Sequence, residues 1–374
     1  MSTESDLLHA RVRAFIGASL RALDAESADM GTGGGETARM PASRETFEEL
    51  ANAIGELQMR CVGVVGRLWR ARGWSGGWEE MPGVPADVFR LARVAAHPVH
   101  EDVAVFRTSG TTSGARGEHA FRTLETYAAA ALGWGDLWLL GGRRDLAVIS
   151  LTPPPAEAND SSLVHMIELF ARQQSGGVSF HLAGGALDLD GVERASAAAR
   201  AEGRRVLLCG TSFAFVHALD GAGGRDLRLP EGSRAMLTGG FKGRSREVAA
   251  EELRRGIAAA FGIEERAVVG EYGMTELSSQ LYERTLLCTH ARHGVYTSPP
   301  WVRVTAMDPE TLAPVRRGEV GIARIVDLAN VGSAIAIQTA DRVRVLESGD
   351  IELLGRLPGA TPRGCSLAVE EVLG

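Results

Sequence analysis

The stretch Val206-Leu207-Leu208-Cys209 indicates the fold class, because it belongs to a series of short apolar runs separated by helical patterns. The other runs of this series are 178–182, 235–237 and 267–270. Strands that alternate with helices along a chain are typical of an α/β fold. We therefore predict an α/β protein whose central strands lie in this part of the chain.

The same patterns extend outward in both directions. Helical spacing predicts helices at 7–28, 44–72, 124–140, 162–174 and 246–261, and a strand at 146–151. The proline-rich stretch 78–85 is predicted to be extended, because a residue before proline avoids the helical region. After about Tyr296 the sequence becomes strand-rich, with strands predicted at 302–306, 319–326, 334–337, 342–346 and 351–354.

Composition excludes several classes of function. The chain has 374 residues, 45% apolar and 23% charged, with a net charge of −7. This acidic balance predicts neither a nucleic-acid partner nor an anionic membrane partner. The N-terminus lacks the layout of a secretory signal, and no apolar run is long enough for a membrane span.

The spacing of the cysteines indicates a reducing compartment. Cys61, Cys209, Cys288 and Cys365 are widely spaced and form no CxxC pair, so a disulfide or metal scaffold is not expected. We predict a cytoplasmic protein with free thiols. Cys61, Cys209 and Cys288 are predicted to be buried structural residues.

A hydroxyl-rich glycine loop spans Thr108-Ser109-Gly110-Thr111-Thr112-Ser113-Gly114-Ala115-Arg116-Gly117 and follows the apolar run 103–106. Glycine lets the backbone fold closely around an anion, and Ser and Thr add short donors, which suits a polyphosphate. The loop is not a Walker A motif, because the chain contains no Gly-Lys dipeptide. A polar hairpin tip or linker is the alternative interpretation.

A second motif is Val268-Val269-Gly270-Glu271-Tyr272-Gly273-Met274-Thr275-Glu276. A short apolar strand leads into an aromatic ring, a glycine, a hydroxyl and a carboxylate. This group offers a flat face for a purine, a donor for a phosphate and a ligand for magnesium. Without the first loop, the same segment could be an ordinary exit from a strand.

Lys242 is the single lysine among 40 basic residues and lies between glycines in Thr238-Gly239-Gly240-Phe241-Lys242-Gly243. An ammonium group is a compact point charge that fits against a phosphate or a developing carboxylate charge where a planar guanidinium would not. This placement favours a functional role, although one lysine could also survive by chance in an arginine-biased composition.

The pairing of the two motifs resembles the nucleotide site of the adenylate-forming (ANL) superfamily, and within it the LuxE-type acyl-protein synthetases. The LuxE resemblance is carried by the Phe47…Gln58 helix and by the segments 78–90, 160–166, 238–242 and 363–371. It implies a large N-terminal domain of mixed sheets flanked by helices, followed by a truncated C-terminal segment. The corresponding division is an adenylate-forming domain at 1–355, with a helical part (1–100), an α/β nucleotide-binding part (101–295) and a strand-rich part (296–355), and a short acceptor segment at 356–374.

The resemblance also implies ATP and magnesium, and a role for each residue of the motifs. Thr275 would contact the α-phosphate, Glu276 would hold magnesium, and Asp341 would bind the ribose. Arg356 would mark a hinge, and His165 would lie near the acyl pocket, where a packing role is an equal alternative. The nucleotide would further contact Ser109, Gly110, Thr111, Thr112, Ser113, Gly114, Arg116, Gly239, Gly240, Glu271, Tyr272, Gly273 and Met274.

The resemblance also implies that the C-terminal segment carries the acyl acceptor, because in LuxE-type proteins a cysteine near the C-terminus accepts the acyl group from the adenylate. Cys365 precedes a helical pattern at 366–373 and is near Arg363, and both features favour a thiolate. The segment is also expected to be much shorter than in many superfamily members. No lysine follows Lys242, so the role of their C-terminal catalytic lysine would be either absent here or filled by Lys242 or an arginine.

These features together predict an AMP-forming acid–thiol ligase. It would activate a carboxylic acid, of the fatty class, as an acyl adenylate and transfer the acyl group to Cys365 for a partner such as an acyl reductase. One alternative is a ligase that passes the acyl group to coenzyme A, a carrier protein or an amine. Another is a nucleotide-binding regulatory subunit without catalysis. The sequence leaves open the acyl substrate and the oligomeric state.

Overall fold

The computed structural model describes residues 3–29, 45–109, 115–239 and 249–357. Its α-helices are α1 Glu4–Asp29, α2 Phe47–Cys61, α3 Gly63–Ala71, α4 Glu125–Gly135, α5 Ser162–Arg172, α6 Leu189–Ala201, α7 Ser212–Asp220 and α8 Ala250–Phe261, and a π-helix, Asp136–Leu140, follows α4. Its strands are β1 Val84–Pro85, β2 Ala104–Arg107, β3 Glu118–Phe121, β4 Ala147–Ser150, β5 Val178–Phe180, β6 Leu182–Ala183, β7 Ala186–Leu187, β8 Val206–Thr211, β9 Arg234–Thr238, β10 Val268–Tyr272, β11 Leu281–Glu283, β12 Val295–Thr297, β13 Val302–Met307, β14 Val320–Asp327, β15 Ala336–Val345 and β16 Ile351–Arg356.

The chain divides into two compact units. The first unit comprises the described residues up to Trp134, the short stretch Met274–Ser279 and the described residues from Ser298 onward. The second unit comprises Gly135–Gly273 and Gln280–Thr297. The predicted α/β class is confirmed, because strands and helices alternate through the second unit.

The second unit is built on a parallel sheet in the order β5-β4-β8-β9-β10. Two antiparallel strands, β11 and β12, continue it beyond β10. Because parallel strands end at the same edge, the residues that follow β4, β8, β9 and β10 lie along one edge of this sheet. Ligands of open α/β sheets bind outside this carboxyl edge.

The core of the second unit lies between its parallel strands and the helices α6, α7 and α8. Leu208 of β8, Phe215 of α7 and Phe261 of α8 are fully buried in it. Local sequence signals begin these helices: Asp188 caps α6 and Thr211 caps α7 through side-chain hydrogen bonds to backbone N–H groups. The apolar runs predicted from sequence are therefore the strands of this core.

The strand-rich part of the first unit is an antiparallel sheet in the order β13-β14-β15-β16. The two-residue strand β1 pairs with β15 in parallel, with Val84 opposite Ile337. A separate antiparallel hairpin joins β2 to β3 and places Arg107 opposite Glu118. This hairpin presents the hydroxyl-rich loop.

The structure corrects four local predictions. The helical region 44–72 is two helices, because Val62 adopts an extended backbone between α2 and α3. Stretch 78–85 is extended only at its end: Trp78–Glu80 form a 3-10 turn, since the proline restriction acts only on the residue directly before each proline.

The other two corrections concern a strand and a thiol. The strands predicted at 334–337 and 342–346 are one ten-residue strand, β15, whose register shifts beside Asp341. Cys61 is exposed and Cys288 is half-buried, so only Cys209 among them is the buried structural cysteine that we predicted. Cys61 is exposed because it ends α2 beside Val62, which takes the buried position.

Candidate functional site

The hydroxyl-rich loop is closed at its base by hydrogen bonds between Thr108 and Gly117. The Thr108 N–H donates to the Gly117 carbonyl at 2.9 Å, and the Gly117 N–H donates to the Thr108 hydroxyl at 2.9 Å. The Arg116 guanidinium donates to the carbonyls of Arg107 and Thr108, so it braces the base of the loop. Ser109 is exposed, and the predicted phosphate ligands Gly110, Thr111, Thr112, Ser113 and Gly114 lie outside the described residues.

The backbone of Thr275 and Glu276 is held by two side chains from other elements of the first unit. His119 of β3 donates from Nδ1 to the Thr275 carbonyl at 2.8 Å. Asn330 donates from Nδ2 to the Glu276 carbonyl at 2.9 Å. Because β3 leaves the hydroxyl-rich loop, the His119 bond places Thr275 beside the strand that follows the loop.

A buried polar network lies beneath this segment. The Asp327 carboxylate accepts hydrogen bonds from the Ser279 hydroxyl at 2.7 Å and from the Ser278 N–H at 3.0 Å. Burial nevertheless raises the pKa of Asp327 to about 6. The Ser278 hydroxyl donates to Asn330 Oδ1 at 2.6 Å. The network therefore fixes the same asparagine that holds Glu276.

Gln58 of α2 completes the support. Its amide donates to the carbonyls of Asn330 at 2.7 Å and Val331 at 3.1 Å, and its Oε1 accepts from the Ile335 N–H at 2.8 Å. Gln58 is fully buried, so its three bonds replace water for three backbone groups. The helix that resembled the LuxE pattern in sequence thus supports the turn that carries Asn330.

Two other predicted site residues of the first unit contact each other. Asp341 of β15 accepts a hydrogen bond from Arg356 of β16, with 3.1 Å between Oδ1 and Nε. The Asp341 side chain is only 17% exposed, whereas that of Arg356 is 65% exposed. The predicted ribose ligand is therefore held in the sheet, and the predicted hinge residue lies at the surface beside it.

In the second unit, Thr238 is the last residue of β9, and Glu271 is the last but one residue of β10. The Thr238 hydroxyl donates to the Glu271 carboxylate, and the two residues are cross-strand neighbours. Burial raises the pKa of Glu271 to about 7. Gly239 follows Thr238 with a φ of +73°, and its carbonyl accepts from the Ser212 hydroxyl. Gly240 lies outside the described residues.

Tyr272 and Gly273 follow Glu271 at the end of β10. The Tyr272 ring is half-buried, and its centroid lies 6.1 Å from that of Tyr296. A Cβ on Gly273 would lie 2.4 Å from the Glu271 carboxylate, so a side chain at this position would force the buried glutamate or the backbone to shift. This contact explains the glycine between Tyr272 and Met274.

The remaining predicted residues are placed less directly. His165 is half-buried on α5, where burial lowers its pKa. Lys242 and Cys365 lie outside the described residues, and their roles stay predictions.

No helix in the described ranges is both long and apolar enough to cross a membrane.

Sequence reasoning missed His119, Asn330 and Asp327. Each acts on the Thr275–Ser279 segment through backbone or hydroxyl contacts that span 48 residues or more along the chain. One signal was available for His119, which lies two residues after Gly117 at the end of the hydroxyl-rich loop. Asn330 and Asp327 carried no comparable signal.

The C-terminal half of the chain matches a known protein family. The model of the family "Acyl-protein synthetase, LuxE" matches residues 188–374, which is half of the chain. The chain belongs to the LuxE family. This match includes Glu271, Thr275 and the tail with Cys365.

Two curated relatives agree with this membership. The long-chain-fatty-acid–luciferin-component ligase of Aliivibrio fischeri is 34% identical over 83 residues, which cover 20% of this chain and 22% of the relative. The protein of the same name from Vibrio harveyi is 27% identical over 158 residues, which cover 40% of this chain and 38% of the relative. The matched region thus spans less than half the length of either LuxE relative.

A solved structure supports the fold. An open conformation of 2-hydroxyisobutyryl-CoA ligase, in complex with 2-HIB-AMP and CoA, matches this LuxE protein with a TM-score of 0.57 at 15% identity. The match covers 90% of this chain and 84% of the ligase. The predicted α/β fold of mixed sheets flanked by helices is confirmed by this likeness.

Proposed function

We propose that this LuxE family member is an AMP-forming acid–thiol ligase. It activates a carboxylic acid with ATP as an acyl adenylate and then transfers the acyl group to the thiol of Cys365. The names of its two curated relatives refer to long-chain fatty acids, which supports a fatty acyl substrate. The partner that receives the acyl group would be an acyl reductase.

The observation that carries this proposal is the bond from His119 to the Thr275 carbonyl. It brings the strand after the hydroxyl-rich loop against the segment that ends in Glu276, two motifs separated by 156 residues along the chain. Phosphate donors and a buried carboxylate would then act on one polyphosphate. A loop of hydroxyls alone would not suggest this, because such clusters are common in hairpin tips.

The first step is attack of the substrate carboxylate oxygen on the α-phosphorus of ATP. A new P–O bond forms, the bond to the bridging oxygen breaks, and pyrophosphate leaves. The protein positions the reactants and neutralises charge. In this proposal Thr275 donates to the α-phosphate, Lys242 and the loop donors hold the leaving phosphates, Tyr272 lies against the adenine and Asp341 binds the ribose.

Magnesium is compatible with the residues at the site. Mg²⁺ is bound in nucleotide enzymes through one or two carboxylates together with phosphate oxygens and water. Glu276 is 7% exposed and its backbone is held by Asn330, so its carboxylate would be the protein ligand. When bound, the ion would neutralise the charge of the phosphates.

In the second step the Cys365 thiolate attacks the carbonyl carbon of the acyl adenylate. The new C–S bond forms, the C–O bond to the phosphate breaks, and AMP leaves as the anion. The thioester retains the energy needed for a later acyl transfer or reduction. This step rests on the sequence around Cys365 and on the LuxE family membership.

Intact-protein mass spectrometry tests the proposal. The full chain is incubated with ATP, Mg²⁺ and a panel of short, long-chain and aryl acids, beside a Cys365→Ala variant and a Cys61→Ala control. ATP–pyrophosphate exchange is measured on the same samples. We expect an acyl-sized, hydroxylamine-sensitive mass increase with one class of acid, lost in Cys365→Ala and kept in Cys61→Ala.

Other results distinguish the alternatives. Exchange without a mass increase would mean that the adenylate passes to an external acceptor, such as coenzyme A, a carrier protein or an amine, and would remove Cys365 from the mechanism. ATP binding without exchange for any acid would favour a regulatory nucleotide-binding subunit and contradict the proposed ligase.

A further inference from the structure

His119 is held rigidly in the first unit. It is 1% exposed, and its ring lies 4.1 Å from the Phe121 ring and 5.6 Å from the Phe89 ring, centroid to centroid. Its Nδ1 reaches the Thr275 carbonyl at 2.8 Å. A side chain packed in this way has one available orientation, so the position of its donor is set before any ligand binds.

The protonation state of His119 follows from its partner and its burial. A carbonyl oxygen only accepts hydrogen bonds, so Nδ1 carries the proton. Burial lowers the pKa of His119 to about 4, so the ring is neutral near pH 7. His119 is thus a neutral donor to Thr275 at the pH of an ordinary assay.

His119 also lies close to the hydroxyl-rich loop along the chain. Gly117, which closes the base of the loop through Thr108, is two residues before it. The next carbonyl along the chain from Thr275, that of Glu276, accepts a hydrogen bond from Asn330. Two consecutive peptide groups are therefore fixed by donors from two different elements, which orients the side chains of Thr275 and Glu276.

We propose that His119 is a positioning residue that holds Thr275 against β3, the strand that follows the base of the hydroxyl-rich loop. The inference rests on the proposed function, in which Thr275 contacts the α-phosphate during acyl-adenylate formation. His119 touches neither ATP nor the acid in this proposal; it acts through the Thr275 backbone. Misplacement of a group at the reacting centre by about 1 Å can cost about a hundredfold in rate.

The test compares two substitutions of similar shape. His119→Asn keeps an amide donor near the position of Nδ1, whereas His119→Leu removes the donor and keeps the volume. ATP–pyrophosphate exchange is measured with the acid identified for the wild type, and rates are given per folded molecule from circular dichroism. We expect kcat to fall at least about tenfold in His119→Leu, with a smaller change in KM for ATP. In His119→Asn we expect most of the wild-type kcat to be retained.

His9→Leu is the matched control. His9 lines the same small cavity as His119, but its Nδ1 bonds to the Thr126 hydroxyl at 2.9 Å. We expect this variant to lose stability and to retain wild-type kcat per folded molecule. If the loss of any buried histidine lowered the rate, kcat would fall equally in His119→Leu and His9→Leu.

Three results would overturn the inference. One is a His119→Leu variant with wild-type kcat, and another is an equal loss in the Asn, Leu and His9 variants, which would mean a purely structural role. The third is a wild type without exchange for any acid. That result is seen in the unmodified protein, so it identifies the proposed function as the source of the failure and removes the basis for the role of His119.

Discussion

The Thr238 hydroxyl donates a hydrogen bond to the Glu271 carboxylate across the carboxyl ends of β9 and β10. These two residues immediately precede Gly239 and Tyr272, which are both predicted to contact the nucleotide. A buried carboxyl group therefore ties together the two chain segments that leave the sheet there. Burial of this carboxyl group makes local stability depend on the protonation of Glu271, and the hydrogen bond from Thr238 partly opposes the effect of burial on its pKa.

Glu271→Gln is expected to change how stability depends on pH. Burial raises the pKa of Glu271 from 4.5 to about 7, so the folded state binds this proton more tightly than the unfolded chain. The stability from this group is fully present below pH 4.5 and is lost as pH rises through about 7. The loss amounts to about 3 kcal/mol at most.

Urea unfolding of wild type and Glu271→Gln at several pH values between 4.5 and 8 measures this contribution as a difference. We expect the wild type to lose free energy of unfolding relative to the variant as pH rises. Glu252→Gln, at an exposed position of α8, should leave the profile unchanged. A difference between wild type and Glu271→Gln that is constant with pH would show that Glu271 titrates normally.

His9 should contribute in the opposite direction. Burial, together with the nearby charges of Arg13 and Arg122, lowers the pKa of His9 from 6.5 to about 4. The unfolded chain then binds more protons than the folded state, so stability present above pH 6.5 is lost as pH falls toward 4.

The matching experiment is urea unfolding of His9→Asn beside wild type from pH 7 to pH 4. The variant should show a flatter profile, with a difference of up to about 3 kcal/mol across this window. His100, whose side chain is 79% exposed, provides the control variant His100→Asn. Identical slopes in wild type and His9→Asn would argue that the His9 ring is solvated.

Gly273→Ala is expected to destabilise the protein through Glu271. The added methyl group would lie 2.4 Å from the Glu271 carboxylate, which cannot move freely because it is buried and bonded to Thr238. Overpacking of this kind costs about 1–3 kcal/mol. A double-mutant cycle with Glu271→Ala measures the coupling by urea unfolding. If alanine at 273 costs the same in both backgrounds, the clash is not with Glu271.

Gln58→Leu should be among the more destabilising changes in the first unit. It would leave the carbonyls of Asn330 and Val331 and the N–H of Ile335 buried without their partner. Each such group costs about 1–3 kcal/mol, and partial relaxation makes a total of about 3 kcal/mol reasonable. Chemical denaturation gives the value. Glu56→Leu, an exposed change on the same helix, should stay within about 0.5 kcal/mol.

The interleaved strands were predictable because their signals are local. A buried parallel strand such as Val206–Thr211 is a short apolar run, and a helix such as Ser162–Arg172 begins at a serine cap. The strand that leads to Tyr272 was predictable for the same reason, because its apolar run 267–270 is a local signal. Errors arose where context decides, as in β15, where two predicted strands separated by Gln338–Asp341 form one continuous strand.

Residue types and their spacing along the chain were thus enough for the fold class, and they gave the hypothesis that the hydroxyl-rich loop and the Thr275–Glu276 motif form a nucleotide site. The supports of that motif were not accessible in this way. His119 and Thr275 are 156 residues apart, and Gln58 and Asn330 are 272 residues apart. Such pairs meet only after the chain has folded, because each bond joins a side chain to a backbone group whose position depends on the packing of every element between them.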